Sequence, residues 1–258
     1  MGEKTIRHRI LKAANSVITF LVVAALCVCG AYAAYALWDN NRIYAAAENV
    51  QADMLKLKPN ADAPDGPSFA ELLAVNPDVC AWITVDNTKI DYPVLQGETN
   101  LSYINTDVYG NFALAGSIYL DSRNASDFSE PCSLLYGHHM ENGGMFGDLD
   151  LFKNKAFFDE NRTGTLLVPG KGYDLEIFAC LLVSASEDNI FEPDQWRTDI
   201  DGLLDYAEQH ALYVRQETIE TLRASKAPQV LALSTCSSEF SDARTIVLAA
   251  MQPRMAAK

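Results

Sequence analysis

The stretch Val-Leu-Ala-Leu-Ser-Thr-Cys, residues 230–236, decides the fold class of this chain. Its apolar run ends in a Ser-Thr pair and the thiol of Cys236. A second apolar run, residues 245–251, begins directly after Arg244. Short apolar runs bounded by polar residues are typical of strands that are buried on both faces. The pattern therefore predicts two strands whose neighbouring ends carry a thiol and a guanidinium.

Six further strand patterns precede this pair, and one long connection interrupts the series. Eight short strands with few helices are typical of a closed barrel or a sandwich. The long connection, residues 185–228, has apolar residues at helical spacing from Ile200 to Ala211, which predicts a helix-bearing insertion. It is interpreted either as a wall of a substrate groove or as a surface decoration. The predicted strands are 80–85, 89–95, 116–120, 132–136, 164–168, 174–184, 229–233 and 245–251.

An uncharged apolar segment, residues 17–37, lies near the N-terminus and follows four basic residues between Lys4 and Lys12. About 20 apolar residues suffice to cross a bilayer as a helix. A cleavable signal peptide is the alternative, because Ala31-Tyr32-Ala33 resembles a cleavage site. We favour an uncleaved anchor, since the run is longer than the apolar core of a signal peptide.

The distribution of basic residues predicts the topology, because Lys and Arg remain on the cytoplasmic side of a membrane. We expect residues 1–16 to form a cytoplasmic tail and residues 17–37 a transmembrane signal anchor. Residues 38–67 are predicted to form a membrane-proximal helix and a linker, because a cluster of Pro, Asn, Asp and Gly begins at Pro59. Residues 68–258 would then form an extracellular domain.

The formal net charge of −14 argues against binding to nucleic acid or to anionic lipid. The cysteines do not indicate a metal site, because no CxxC pair or His/Cys cluster has zinc spacing, and we expect neither metal nor cofactor. Cys80, Cys132 and Cys180 each lie within an apolar strand pattern, which favours buried thiols. A disulfide between two of them stays open.

A third chemical group stands at the end of the strand pattern 132–136, which runs into Gly137-His138-His139. A thiol, an imidazole and a guanidinium at strand ends are the groups that acyl transfer through a thioester needs. The thiolate attacks, the imidazole exchanges protons with the amine, and the guanidinium stabilises the oxyanion.

These motifs, in this order along the chain, resemble those of the sortases. The resemblance covers residues 69–251, and the helix-bearing insertion together with the helical N-terminal extension is most similar to class B. Further matches lie in Trp82-Ile83 and Asp91-Tyr92-Pro93-Val94, near the start of the family's fold. The resemblance implies a mainly β fold, a closed eight-stranded sortase-type barrel with N-terminal helices and the insertion between strands six and seven.

The resemblance also implies the activity of a membrane-anchored cysteine transpeptidase on a Gram-positive surface. Such an enzyme cleaves a C-terminal sorting motif of a surface protein after its Thr and holds the acyl group as a thioester. It then transfers that group to an amine of a peptidoglycan precursor. A pilin polymerase with a Lys amine as acceptor is one alternative. A non-catalytic, membrane-tethered β-barrel that binds a partner, with Cys236 buried and inert, is the other.

Residue by residue, the resemblance assigns Cys236 as nucleophile, His138 as acid and base, and Arg244 as the oxyanion-stabilising group. His139 competes with His138, but neighbours on an extended segment point to opposite sides, and the Tyr-Gly-His motif favours His138. Weaker candidates for contacts with the substrate are Asn100, Ile104, Tyr136, Ser234 and Thr235.

Overall fold

The computed structural model of this protein describes residues 2–59, 68–237 and 241–254. It contains two compact units, Met1–Ala45 and Ala46–Lys258. Most of the predicted linker falls on residues 60–67, outside the described residues, so the domain boundary at residue 68 stays a prediction.

The first helix, α1, spans Gly2–Leu55 and contains the whole apolar segment predicted as an anchor. Large apolar side chains on this segment are exposed, among them Phe20 at 71% and Leu37 at 71%. Exposed apolar surface of this extent needs an apolar environment to cover it. Within the described residues, α1 is the one helix long and apolar enough to cross a membrane. Its last residues belong to the second unit, where Met54 is buried beside Leu72 and Trp82.

The second unit is built around a closed barrel of eight strands, as predicted. The strands follow the order β5-β1-β2-β3-β4-β8-β9-β6, and the β5–β6 pairing closes the ring. The β2–β3 and β4–β8 pairs are parallel, and the other pairs of the ring are antiparallel. The strands are β1 Val79–Val85, β2 Asp91–Leu95, β3 Ile118–Leu120, β4 Cys132–Tyr136, β5 Thr163–Val168, β6 Lys171–Ser184, β7 Tyr213–Val214, β8 Val230–Cys236 and β9 Ala243–Pro253.

Strand boundaries differ from those predicted by up to three residues; β8 continues to Cys236, β9 is two residues longer at each end, and three of the other differences lie at turns. β3 begins two residues late because Gly116 has φ +58° and donates its N–H to the carbonyl of Ala113. β2 begins at Asp91 because the backbone N–H of Lys89 donates to the Asp148 carboxylate instead of to a strand. β6 begins three residues early, at Lys171, because Gly170 with φ +83° makes a tight turn. The two-residue strand β7, which pairs with β6, was not predicted.

Short helices cover the barrel. α2, Phe69–Val75, begins at a capping box, in which the backbone N–H of Ser68 donates to Glu71, and it ends before Pro77. After β4 come a 3-10 helix, Gly147–Lys153, and α3, Lys155–Glu160. Neither of these two was predicted.

The insertion carries more than the one predicted helix. It contains α4 Asp188–Phe191, a 3-10 turn at Pro193–Trp196, α5 Asp201–His210 and α6 Gln216–Ala224. The predicted apolar spacing corresponds to α5, whose Leu203, Leu204 and Ala207 are buried. They pack with Ile219 and Leu222 of α6 on one face of the sheet.

The packing of the insertion defines the two faces of β4, β8 and β9. Cys132 and Leu134, Val230 and Ala232, and Ile246 and Leu248 contact the insertion helices and so form the outer face. Because side chains alternate along a strand, the residues between them point to the barrel interior. Cys236 and Arg244 continue the outer face to its end.

Candidate active site

The thiol and the guanidinium that define the candidate site come from adjacent strands. Cys236 is the last residue of β8 and is exposed, and Arg244 is its cross-strand partner in β9. Directly opposite residues of an antiparallel pair have Cβ atoms about 5 Å apart and point to the same face. The guanidinium of Arg244 donates to the carbonyl of Ala243 at 2.9 Å. The hairpin therefore places a fixed cation beside the thiol.

The imidazole reaches the same edge from the other side of β8. β4 and β8 are parallel, with Tyr136 in register with Ser234, and the N–H of Gly137 donates to the carbonyl of Ser234 at 3.1 Å. Continued by two residues, this register places His138 beside Cys236. Partners in register share a face of the sheet. Cys236, His138 and Arg244 are thus brought to one end of three neighbouring strands.

The ring of His138 has one partner that defines its protonation. Its Nε2 lies 2.6 Å from the carbonyl oxygen of Ile104. A carbonyl oxygen only accepts, so Nε2 carries a hydrogen and Nδ1 is the nitrogen left for proton exchange. The carbonyl of Ile104 can take this position beside the imidazole because residue 116 is glycine. A Cβ at residue 116 would lie 2.4 Å from that carbonyl oxygen. Ile104 therefore orients the imidazole through its backbone.

His139 has a different environment from His138. Its Nε2 lies 3.2 Å from the carboxylate of Asp150, and that hydrogen bond raises the pKa of His139 above its usual value. Asp150 also accepts from Thr245, a residue of β9 that points away from the outer face. The two histidines thus face different groups, as the alternation of an extended segment predicts.

Two of the weaker candidates, Asn100 and Tyr136, meet at the carboxylate of Asp121. Asn100 Nδ2 and the Tyr136 hydroxyl both donate to Asp121, at 3.0 and 2.9 Å. The side chain of Asp121 is fully buried, and Arg123 binds both of its oxygens. Burial raises the pKa of Asp121, but its hydrogen bonds, those from Arg123 foremost, outweigh this and lower it. Arg123 is therefore committed to this carboxylate and does not compete with Arg244.

The same cluster holds the first segment of the insertion against the barrel. Arg123 pairs with Glu192 at 2.6 Å and donates to the carbonyl of Phe191 at 2.6 Å. The Phe191 ring stacks on Tyr136 with 6.3 Å between centroids, and Tyr136 stacks in turn on Tyr119 at 5.2 Å. The first segment of the insertion is therefore packed on the barrel beside Tyr136, and its role as a groove wall stays a prediction. An Asp directly after a short strand and two residues before an Arg was the one sequence signal for the cluster.

Tyr119 is a further residue that sequence reasoning missed. Burial raises the pKa of its hydroxyl to about 12, and the charges of Asp121 and Cys236 add to this while Arg244 opposes it. Tyr119 is the cross-strand partner of Tyr136, two residues before His138, and this pairing places it close to the candidate site.

The other two weak candidates, Ser234 and Thr235, are not accessible. Each has a relative exposure of 2%, and both lie within β8 between its neighbours. Their side chains cannot reach a substrate in this structure, because the sheet and its packing cover them. The thiols of Cys80 and Cys132, both in the described part of the chain, are buried and not in disulfides, and burial raises the pKa of each to about 12.

Comparison with known proteins identifies the class to which this fold and this set of residues belong. The sequence model of the sortase domain matches residues 83–252. Sortase B of Listeria monocytogenes is 31% identical over 169 residues, which are 66% of this chain and 67% of the relative. The chain belongs to the sortase family, whose members are cysteine transpeptidases.

The similar solved structures are class B sortases. A class B sortase of Streptococcus pyogenes involved in pilus biogenesis is 36% identical, with a TM-score of 0.65, and the match covers 71% of this chain and 97% of that one. Staphylococcus aureus sortase B is 26% identical, with a TM-score of 0.65, and the match covers 84% of this chain and 100% of that one. The class B resemblance is thereby confirmed, and family membership favours the enzyme over the non-catalytic binding module.

Proposed function

We propose that this sortase cleaves a sorting motif after its Thr through a thioester on Cys236, with His138 as acid and base and Arg244 as the oxyanion-stabilising residue. The observation that carries the proposal is the strand register: Cys236 and Arg244 are cross-strand partners, and the β4–β8 register leads His138 to the same edge. No other Cys of the second unit combines exposure with such neighbours among the described residues.

In the first half-reaction the thiolate of Cys236 attacks the carbonyl carbon of the Thr. A Cys is only a few per cent thiolate near neutral pH, and a neighbouring cation increases that fraction. Negative charge builds on the carbonyl oxygen, where the Arg244 guanidinium can donate two hydrogen bonds. When the C–N bond breaks, His138 protonates the leaving amine, and the acyl group remains on sulfur as a thioester.

In the second half-reaction an acceptor amine attacks the thioester. The now neutral imidazole of His138 takes a proton from this amine, and the thiolate of Cys236 leaves. A peptidoglycan-precursor amine is the acceptor that we propose, with surface proteins bearing a C-terminal sorting motif as donors. The product is an amide between the donor Thr and the acceptor, so no net oxidation or reduction occurs.

A second acceptor is favoured by one comparison. The Streptococcus pyogenes relative is described as involved in pilus biogenesis. A pilin Lys amine would undergo the same chemistry, and the products distinguish the two acceptors. A wall acceptor yields a single donor protein joined to a wall fragment, whereas a pilin acceptor yields a ladder of covalently joined subunits.

The test uses the full chain in detergent micelles, incubated with peptides that carry Pro-x-Thr-x cores. Intact-mass measurement is expected to reveal an adduct on Cys236 whose acyl part ends at Thr, and Cys236→Ala is expected to lack it. If the wild type forms no such adduct with any peptide and its Cys236 resists alkylation, the proposed chemistry is wrong.

We further propose that α1 anchors the protein with its N-terminus in the cytoplasm and the barrel outside the cell. The basic residues before the apolar segment support this orientation. A membrane-impermeant maleimide applied to intact cells is expected to label Cys236. Labelling only after the cells are lysed would contradict the orientation.

A further inference from the structure

A polar cluster around Asp150 lies on the side of β9 that faces away from Cys236 and Arg244. Asp150 belongs to the 3-10 helix Gly147–Lys153, and its side chain is 26% exposed. It accepts from Thr245 Oγ1 at 2.6 Å and lies 3.2 Å from His139 Nε2 and 2.9 Å from Lys153 Nζ. Lys153 in turn donates to Ser237 Oγ at 3.3 Å. One carboxylate therefore connects a helix, the segment after β4, and both strands of the β8–β9 hairpin.

Asp150 contacts the sequence neighbours of two of the three proposed catalytic residues directly, and it reaches the neighbour of the third, Ser237, through Lys153. His139 follows His138, Thr245 follows Arg244, and Ser237 follows Cys236. In extended backbone, adjacent residues point to opposite sides and share a rigid peptide plane. Fixing one residue therefore fixes the direction in which its neighbour points.

The charges in this cluster strengthen the hydrogen bonds between Asp150 and its partners. Burial raises the pKa of Asp150, but the hydrogen bonds from His139, Thr245 and Lys153 outweigh it and hold the pKa at about 2. The carboxylate is thus ionised throughout the physiological range. Hydrogen bonds to an ionised acceptor are roughly twice as strong as neutral ones. The charged groups that face the cluster are Lys153 and Glu141 as well as His139.

We propose that Asp150 is a positioning residue for the transpeptidase reaction, which sets the relative placement of Cys236, His138 and Arg244 through their sequence neighbours. It does not touch the substrate. The inference rests on the proposed catalytic roles of those three residues. At the end of β8 the N–H of Ser237 donates to the carbonyl of Ala243 at 2.9 Å, which joins this segment to β9.

The test compares Asp150→Asn with Asp148→Asn in the full chain in detergent micelles. Both substitutions remove one carboxylate from the same 3-10 helix, but Asp148 accepts from the backbone of Lys89 and not from the β8–β9 hairpin. A displacement of about 1 Å can cost about 100-fold in rate. We expect Asp150→Asn to lower kcat for the donor peptide at least about tenfold, with KM little changed, and Asp148→Asn to leave kcat near that of the wild type.

Amide hydrogen exchange supplies a readout that needs no substrate. In Asp150→Asn, exchange is expected to accelerate at Ser237 and at the first residues of β9, whereas Asp148→Asn should leave these amides protected. If exchange is faster in Asp150→Asn but the wild type performs no transpeptidation, Asp150 holds the strand ends in place and the proposed function is wrong. A loss of kcat with unchanged exchange at the hairpin, or equal losses in both variants, would overturn the positioning role.

Thr245→Val is the test variant if Asp150→Asn does not fold. It removes one hydrogen bond to Asp150 and preserves the shape of a fully buried side chain. A hydrogen bond to a charged acceptor is stronger than one between neutral groups. We expect a decrease in kcat of about fivefold or more with KM again little changed. An unchanged kcat would contradict the proposal.

Discussion

The proposed active site lies between two carboxylates that have opposite relations to it. Asp121 is fully buried, its main partner is Arg123, and the hydroxyl of Tyr136 reaches it from the outer face of the sheet. Asp150 is partly exposed, its partners are His139, Lys153 and Thr245, and Thr245 points to the other face. The Asp121 cluster connects the barrel to the insertion, whereas the Asp150 cluster connects the strand ends that carry the catalytic groups.

This difference predicts separate effects on the reaction. Changes in the Asp121 cluster should affect the fold and the binding of the donor, because Phe191 and Glu192 of the insertion depend on it. Changes in the Asp150 cluster should affect the chemical step, because its contacts among the described residues join the 3-10 helix to the segment after β4 and to the β8–β9 strand ends. The energetic reason lies in burial: removing one partner from a buried ion pair leaves an uncompensated charge, while a partly exposed one regains water.

The two arginines give the largest expected contrast. Arg244→Lys should reduce kcat/KM by about 100-fold or more, because Lys lacks the planar pair of donors for the oxyanion. Alkylation of Cys236 should persist. Arg123→Lys should lower stability and raise KM, with a smaller effect on kcat. Steady-state kinetics of both variants gives kcat and KM, and iodoacetamide labelling reports the reactivity of Cys236. A near-normal rate for Arg244→Ala would contradict the oxyanion-stabilising role of Arg244.

Asp121→Asn should produce the largest loss of stability. The amide of Asn cannot accept at both positions, so at least one hydrogen bond from Arg123, Asn100 or Tyr136 is lost at a fully buried side chain. A hydrogen bond to a charged group contributes roughly 1.5–3 kcal/mol. Asp150→Asn should cost clearly less, because its side chain keeps 26% of its exposure. Urea unfolding followed by circular dichroism determines both values. The contrast between the clusters fails if Asp150→Asn is the more destabilising variant.

Glu192→Gln tests the connection to the insertion with little effect on the fold. The Glu192 side chain is 55% exposed, and an exposed ion pair contributes about 0–1 kcal/mol. We expect KM for the donor peptide to rise about threefold, with kcat unchanged. Glu217→Gln is the matched control, since Glu217 lies in the same insertion and pairs with Arg162 instead. An equal KM for both variants would show that the Arg123–Glu192 pair does not position the wall.

The pH dependence of stability gives the smallest expected effect. The pKa of His139 is raised by Asp150, so the charged pair stabilises the fold fully below the unfolded value and loses its effect as pH rises through the folded pKa. His139→Gln should therefore lower Tm more at about pH 5 than at about pH 9. Asp150 stays ionised in this window, because its pKa of about 2 lies below it. A Tm difference that does not depend on pH would contradict the His139–Asp150 pairing.

The sequence was sufficient for the barrel and for the catalytic candidates because these signals are local. Apolar runs between turn residues predicted all eight strands of the ring, with errors of up to three residues at their ends, some of them where a glycine turn or a side-chain acceptor ends the ladder. Cys236 and Arg244 could be paired in advance because a single hairpin joins them. The insertion was underestimated because α4 and α6 are short, and four to nine residues give a weak helical period.

What only the tertiary structure decided is how distant polar residues meet. Arg123 and Glu192 are 69 positions apart and Asp150 and Thr245 are 95 apart, so no periodicity or spacing along the chain relates them. Their carboxylates became visible as clusters only where the barrel closes and the insertion packs on it. The sequence alone predicted the fold, the family and the candidate reacting groups, since burial patterns and short motifs are encoded in neighbouring residues. The closure of the barrel decided which charges support those groups, because it alone brings together residues that are far apart along the chain.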